Sequence, residues 1–137
     1  MIRIIIVVVF ALTSPVQAQE EGAETPRIVV RIELGATANF DGVTVEFSEV
    51  LEDSRCPTNV TCVWEGRAKV KVLVTEEGME TVERVVIFGK VMGNESGDRV
   101  LCERNEFSVE AKQLVPYPMD PGKQLDYILL VDKRVKN

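Results

Sequence analysis

The 137-residue chain contains no histidine. That absence removes the commonest general base, the Ser-His and Cys-His nucleophile pairs and the HExxH type of zinc site. A positive surplus is missing too, since 16 basic side chains face 22 acidic ones for a formal charge of −6. Nucleic acid and anionic membrane surfaces both call for clustered Lys and Arg, so neither is an expected partner. No SxxK, GxSxG, CxxC or glycine-rich phosphate loop occurs. There is no internal repeat, and no stretch of ten residues carries a clear 3.6-residue period. Catalysis is not the expected role, and neither a cofactor nor a metal is called for.

A long apolar run is also lacking. The longest, Ile4 to Leu12, would rise only about 14 Å as a helix, against a hydrocarbon core of about 30 Å. It follows a short basic start, Met1-Ile2-Arg3, and is broken by Thr13-Ser14-Pro15. Val16-Gln17-Ala18 then offers small residues at the usual cleavage positions, which is the layout of a secretory signal peptide over residues 1–18. No cysteine follows Ala18, which argues against a lipid-anchored form. The expected product is exported, periplasmic or extracellular, with no transmembrane segment. Residues 19–26, QEEGAETP, are acidic and lack large apolar side chains, so they read as a flexible leader. Residues 27–137 form a single domain.

What is present in that domain is a period of two. Ile28, Val30, Ile32 and Leu34 alternate with polar or outward positions, as do Val43, Val45 and Phe47, and Val70, Val72 and Val74. Glu83 to Phe88, Phe107 to Lys112 and Tyr127 to Val131 continue the pattern. β-branched alternation of this kind marks strands with one buried face. Asp41-Gly42, Glu77-Gly78, Gly93-Asn94 and Pro121-Gly122 fall between the runs, where tight turns need them. Leu125 to Val131 is apolar on both faces and reads as a central strand. The expected fold is all-β, an antiparallel β-sandwich (immunoglobulin-like) or a small barrel, with about 6–8 short strands.

Residues 53–66, DSRCPTNVTCVWEG, carry the most information. In an exported chain, two cysteines bracketing five residues that include Pro and Asn suit a disulfide-closed loop. Three cysteines allow three single pairings, and a bridge from Cys102 would close a longer ring. Local closure is kinetically easier, which favours Cys56–Cys62 and leaves Cys102 buried or as a free thiol. Asp53 has Arg55 and Arg67 as its nearest cations, and a pair with either would pin the loop. Cys62 and Trp64 share one face of an extended segment, so the indole is expected on the disulfide or the core edge.

DSRCP at 53–57, CVW at 62–64 and Gly66 together resemble a signature of small exported bacterial proteins, some of them lipoproteins, with no assigned biochemical activity. The resemblance extends to Phe47-Ser48-Glu49-Val50, to Leu114-Val115-Pro116-Tyr117-Pro118 and to a last strand containing Tyr127. It implies an exported β-rich domain with Cys56 and Cys62 as half-cystines, but no substrate or catalytic residue. Glu65, where such proteins carry a small residue, and Cys102 both depart from it.

Two roles follow for loop 53–67. One is a structural knuckle, with Asp53, Pro57 and Gly66 as supports. The other is a recognition surface with Arg55 and Trp64 as anchors and Arg67 and Tyr117 beside them, since interface hot spots favour Trp and Arg. The expected function is a non-catalytic binding or structural module of the bacterial envelope, its partner an unidentified protein or envelope component. Alternatives are a carboxylate-only enzyme acting on carbohydrate, with acidic pairs held across a cleft, and a small-ligand carrier. A protease inhibitor presenting Arg55 beside the bridged Cys56 is a further one. Asn94-Glu95-Ser96-Gly97-Asp98 spaces its oxygens as a calcium loop does, but lacks the closing Glu and reads as a turn. Val115 to Gly122 reads as a stiff connection into the last strand, with Tyr117 capping the core, or as a polyproline II segment.

Overall fold

The computed structural model describes residues 26–136; the expected signal segment and leader residues 19–25 lie outside the described residues. Alternating apolar side chains produce eight strands: β1 (Arg27–Glu33), β2 (Thr37–Phe40), β3 (Val43–Asp53), β4 (Arg67–Glu76), β5 (Val82–Gly89), β6 (Val100–Glu103), β7 (Phe107–Val115) and β8 (Ile128–Val135). They form two antiparallel four-stranded sheets, ordered β1-β8-β7-β6 and β2-β3-β4-β5. The sheets are not closed on one another, so the fold is a β-sandwich and not the barrel offered as its alternative. Among the described residues there is no helix.

The core lies between the sheets and comes from the period-two positions. Val43, Val45 and Phe47 of β3 and Val70, Val72 and Val74 of β4 are buried. Val109 and Ala111 of β7 with Leu129 and Val131 of β8 are buried in the same cluster. β8 is central, flanked by β1 and β7. In its register with β1, Arg27 lies opposite Arg134 and Glu33 opposite Ile128. Asp41 and Gly42, both at positive φ, close the β2–β3 hairpin, the geometry that two-residue hairpin loops require.

β2 and β6 are four residues each, too short to display a period, and no alternation in the sequence marks them. β8 runs on past its apolar stretch through Asp132, Lys133 and Arg134. Asp132 is 3% exposed although it alternates with Leu129 and Val131 and so faces away from the core. Lys112 Nζ lies 3.9 Å from its Oδ2. At eleven residues β3 is the longest strand, and its register shifts against β4 between Phe47 and Glu49 and again between Val50 and Glu52. Such bulges bend a strand and increase its twist. They fall on the part of β3 that delivers the chain into loop 54–66.

Candidate functional site

Beyond Asp53 the two chains leaving β3 and entering β4 stay paired. Ser54 N donates to Arg67 O at 2.8 Å and Cys56 N to Glu65 O at 2.9 Å. Cys56 and Cys62 are disulfide-bonded, with Cα atoms 5.9 Å apart. The neck of the loop is built at backbone contact. Gly66 has φ +71°, and a Cβ there would lie 1.7 Å from Ser54 O. A Cβ on Gly89 would in turn lie 3.0 Å from Gly66 O. Only glycine fits between these chains.

Arg55 locks the loop to the other sheet. Its Nε and Nη2 donate to the two oxygens of Asp53, both at 2.8 Å. Nη1 donates to Leu114 O at 2.7 Å and Nη2 also to Pro116 O at 3.0 Å. The Asp53 Oδ2 accepts a third side-chain bond, from Tyr127 Oη at 2.9 Å. The Arg55 and Asp53 side chains are 8% and 10% exposed. Burial alone pushes the Asp53 carboxyl up, but the bonds from Arg55 and Tyr127 outweigh it and hold it below its ordinary value. Burial, with the carboxylate it touches, raises the Tyr127 hydroxyl. Asp53 therefore pairs with Arg55, and the alternative pair with Arg67 is not formed. The tie runs to the end of β7 and the segment before β8, not to the strand that starts at Arg67.

Arg67 is buried at the start of β4 and carries a separate network. It bridges Glu52 of β3, at 3.1 Å, and Glu95. Lys69 Nζ also bonds Glu95, at 2.7 Å. The Lys69 ammonium, the Met92 amide and Arg67 together bring the Glu95 carboxyl down to about 2. The Asn94–Asp98 turn is thus fastened through its glutamate to two cations of β4, and is not simply solvated. Asp98 Oδ1 accepts from Val100 N at 2.9 Å.

The far side of the disulfide ring is docked as well. Thr58 N donates to Pro118 O and Asn59 N to Met119 O, each at 3.1 Å. Asn59 Nδ2 bonds Asp120 Oδ1 at 2.8 Å. The Pro-rich connection is therefore the bed on which the ring rests. Pro57 accepts from Val60 N at 3.3 Å and so closes a turn inside the ring. Tyr117 does not cap the core: it is 42% exposed, with the Arg55 guanidinium 5.1 Å from its ring centre.

Against this bracing, the outer rim of the loop is bare. Val63 is fully exposed and Trp64 is 46% exposed; the indole is not among the residues packed on the core, so of the two expected placements, disulfide or core edge, it does not take the core edge. Val60, in the disulfide ring, and Met119, whose carbonyl accepts from Asn59 N, are exposed as well. A cleft of about 230 Å³ opens next to the loop, lined by Arg55, Glu65, Gly66, Phe88, Gly89, Gln113, Leu114 and Tyr117. Of the residues picked from the sequence, Asp53, Arg55, Gly66 and Tyr117 come together around one joint. Arg67 sits in its own network, and Trp64 stands on the rim. Gln113 and Phe88 on the cleft, and Tyr127 behind Asp53, were missed; only the Tyr127 position had a signal, in its likeness to a Tyr-containing last strand.

Glu33 with Asp126, Glu76 with Glu80, and Glu76 with Glu77 line three further concavities, and a groove of about 420 Å³ along β5 includes Glu83, Glu95 and Asp98. Two of these last three are engaged as described. Among the described residues no group of three or more Cys, Asp or Glu is placed to hold a metal ion. Comparison with known protein families, curated proteins and solved structures returned no match.

Proposed function

We propose that this protein is an exported, non-catalytic binding module of the bacterial envelope that recognises its partner through the rim of loop 53–67, with Trp64 as anchor. The observation that carries this reading is an exposed indole beside a fully exposed Val63 on a loop tied down from every side. Folding gains nothing from leaving these side chains in water, whereas a rigid apolar rim binds at low entropic cost. The likeness of DSRCP and CVW to small exported bacterial proteins supports the compartment, as does a disulfide, which persists where conditions are oxidising.

Arg55 moves from anchor to brace in this reading. Four of its N–H donors are already satisfied within the chain, so an inhibitor that inserts Arg55 into a protease pocket would first have to dismantle the joint. Retrieval of partners from native envelope extract by the wild type and by Trp64→Ala tests the proposal. Trp64→Ala is expected to lose most of the captured material, as hot-spot truncations cost about 2 kcal/mol or more. Equal recovery by the two proteins refutes the anchoring role.

A further inference from the structure

The cleft beside the loop has walls of two kinds. Phe88 and Tyr117 are aromatic, while Glu65, Gln113 and Arg55 bring a carboxylate, an amide and a guanidinium to the same small space. Between them the lining includes Gly66 and Gly89, where the backbone carries no side chain. We infer that this cleft is a saccharide subsite that takes one sugar ring of an envelope or extracellular glycan, an inference that rests on the reading of loop 53–67 as the recognition surface.

Size comes first. At about 230 Å³ the cleft falls below the roughly 300 Å³ at which sites for drug-sized ligands begin. It suits a single ring. Charge narrows the class further. The Arg55 charge is matched by Asp53, and Glu65 is the remaining carboxylate on the lining, so an anion is not attracted. A cation is not favoured either, because guanidinium groups already lie against both rings, Arg55 on Tyr117 at 5.1 Å and Arg99 on Phe88 at 5.8 Å. A further cation on either ring would lie close to one of these guanidinium groups and be repelled by it.

Polarity decides between the neutral ligands. A purely apolar occupant would strip water from Glu65 and Gln113 and leave them unpaired, at about 1–3 kcal/mol for each group. Arg55 has five N–H donors, and the second hydrogen on Nη1 is the one without an acceptor among the described residues. An acceptor-only carboxylate, an amide with both functions and a spare donor match hydroxyl groups, each of which donates and accepts. The apolar C–H face of a sugar ring packs on the part of Tyr117 that lines the cleft and is reached by solvent, the residue being 42% exposed. A flat ring with hydroxyls on its edge satisfies both kinds of wall at once.

Saturation-transfer NMR on the full oxidised chain with glucose, galactose, N-acetylglucosamine and their β-linked disaccharides tests this directly. At least one of these probes is expected to bind in the millimolar range, with Tyr117→Ala and Gln113→Ala each weakening it about tenfold. Gln113 is exposed, so its variant keeps the test valid if Tyr117→Ala disturbs the loop. No transfer to any of the probes, or transfer that survives both cleft variants, overturns the inference. Loss of envelope capture in Trp64→Ala without sugar binding would leave the recognition loop standing and remove only the saccharide. Sugar binding that depends on Tyr117, with capture indifferent to Trp64, would do the reverse.

Discussion

Arginine holds this joint because its planar fork meets two acceptors on one side and two on another. Arg55 grips both oxygens of Asp53 and still reaches the carbonyls of Leu114 and Pro116. Lysine, a point charge, could not span them. Arg55→Met is expected to cost about 3–5 kcal/mol, because it leaves the Asp53 carboxylate shielded without its counter-charge. Adding Asp53→Asn to that variant should recover part of the loss, and chemical denaturation of the four proteins of the cycle measures it. At Gly66 the difficulty is backbone against backbone, so Gly66→Ala should cost more than about 3 kcal/mol or prevent folding, which a melting curve reads. Asp53 and Arg55 were legible as a pair because they are close in sequence. Their remaining partners lie 59 to 74 residues away, where no spacing rule reaches, and the choice between Arg55 and Arg67 depends on them.

Loops 54–66 and 90–99 are tied down by different means. In the first, the Cys56–Cys62 bridge closes a seven-residue ring, for which loop-closure entropy gives roughly 2.4 kcal/mol. The double variant Cys56→Ser, Cys62→Ser should lose about that much in denaturant titration. In the second, the tie is electrostatic and follows pH. Glu95 has an ordinary value of 4.5 and titrates near 2 in the folded chain. A depressed carboxyl stabilises fully above its unfolded value and stops doing so below its folded one. Wild type should therefore exceed Glu95→Gln in stability at neutral pH, and the gap should narrow as pH falls from about 4.5 towards 2. Comparison of melting temperatures along that series checks it. Turn chemistry at 94–98 was readable in the sequence. The destination of the glutamate was not, because Arg67 and Lys69 reach it from a strand more than twenty residues earlier.

Across the whole molecule, the sandwich was legible because both sheets bury one face and β-branched residues mark it at every second position. β3, β4, β7 and β8 carry that signal most fully. What escaped was short or polar: the four-residue strands, and an aspartate hidden on an outward face. Cys102 is unpaired and buried in the core cluster, where burial and the neighbouring Glu76 raise its thiol. Alkylation of the unreduced native protein should be slow and should accelerate sharply in denaturant, adding a single group that peptide mapping places at Cys102. Rapid labelling of the native state, or labelling at Cys56 or Cys62, would contradict this arrangement.

The register of β1 with β8 has a practical consequence. Pro26 and Val135 are hydrogen-bonded neighbours, so both described ends of the chain leave from one pole of the sandwich. Tyr127 and the end of β7, which Asp53 and Arg55 grip, mark the opposite pole, roughly 25 Å away along the eight residues of β8. Whatever holds this domain by either terminus, a natural tether or a bead in a capture experiment, presents Trp64 and the cleft outward.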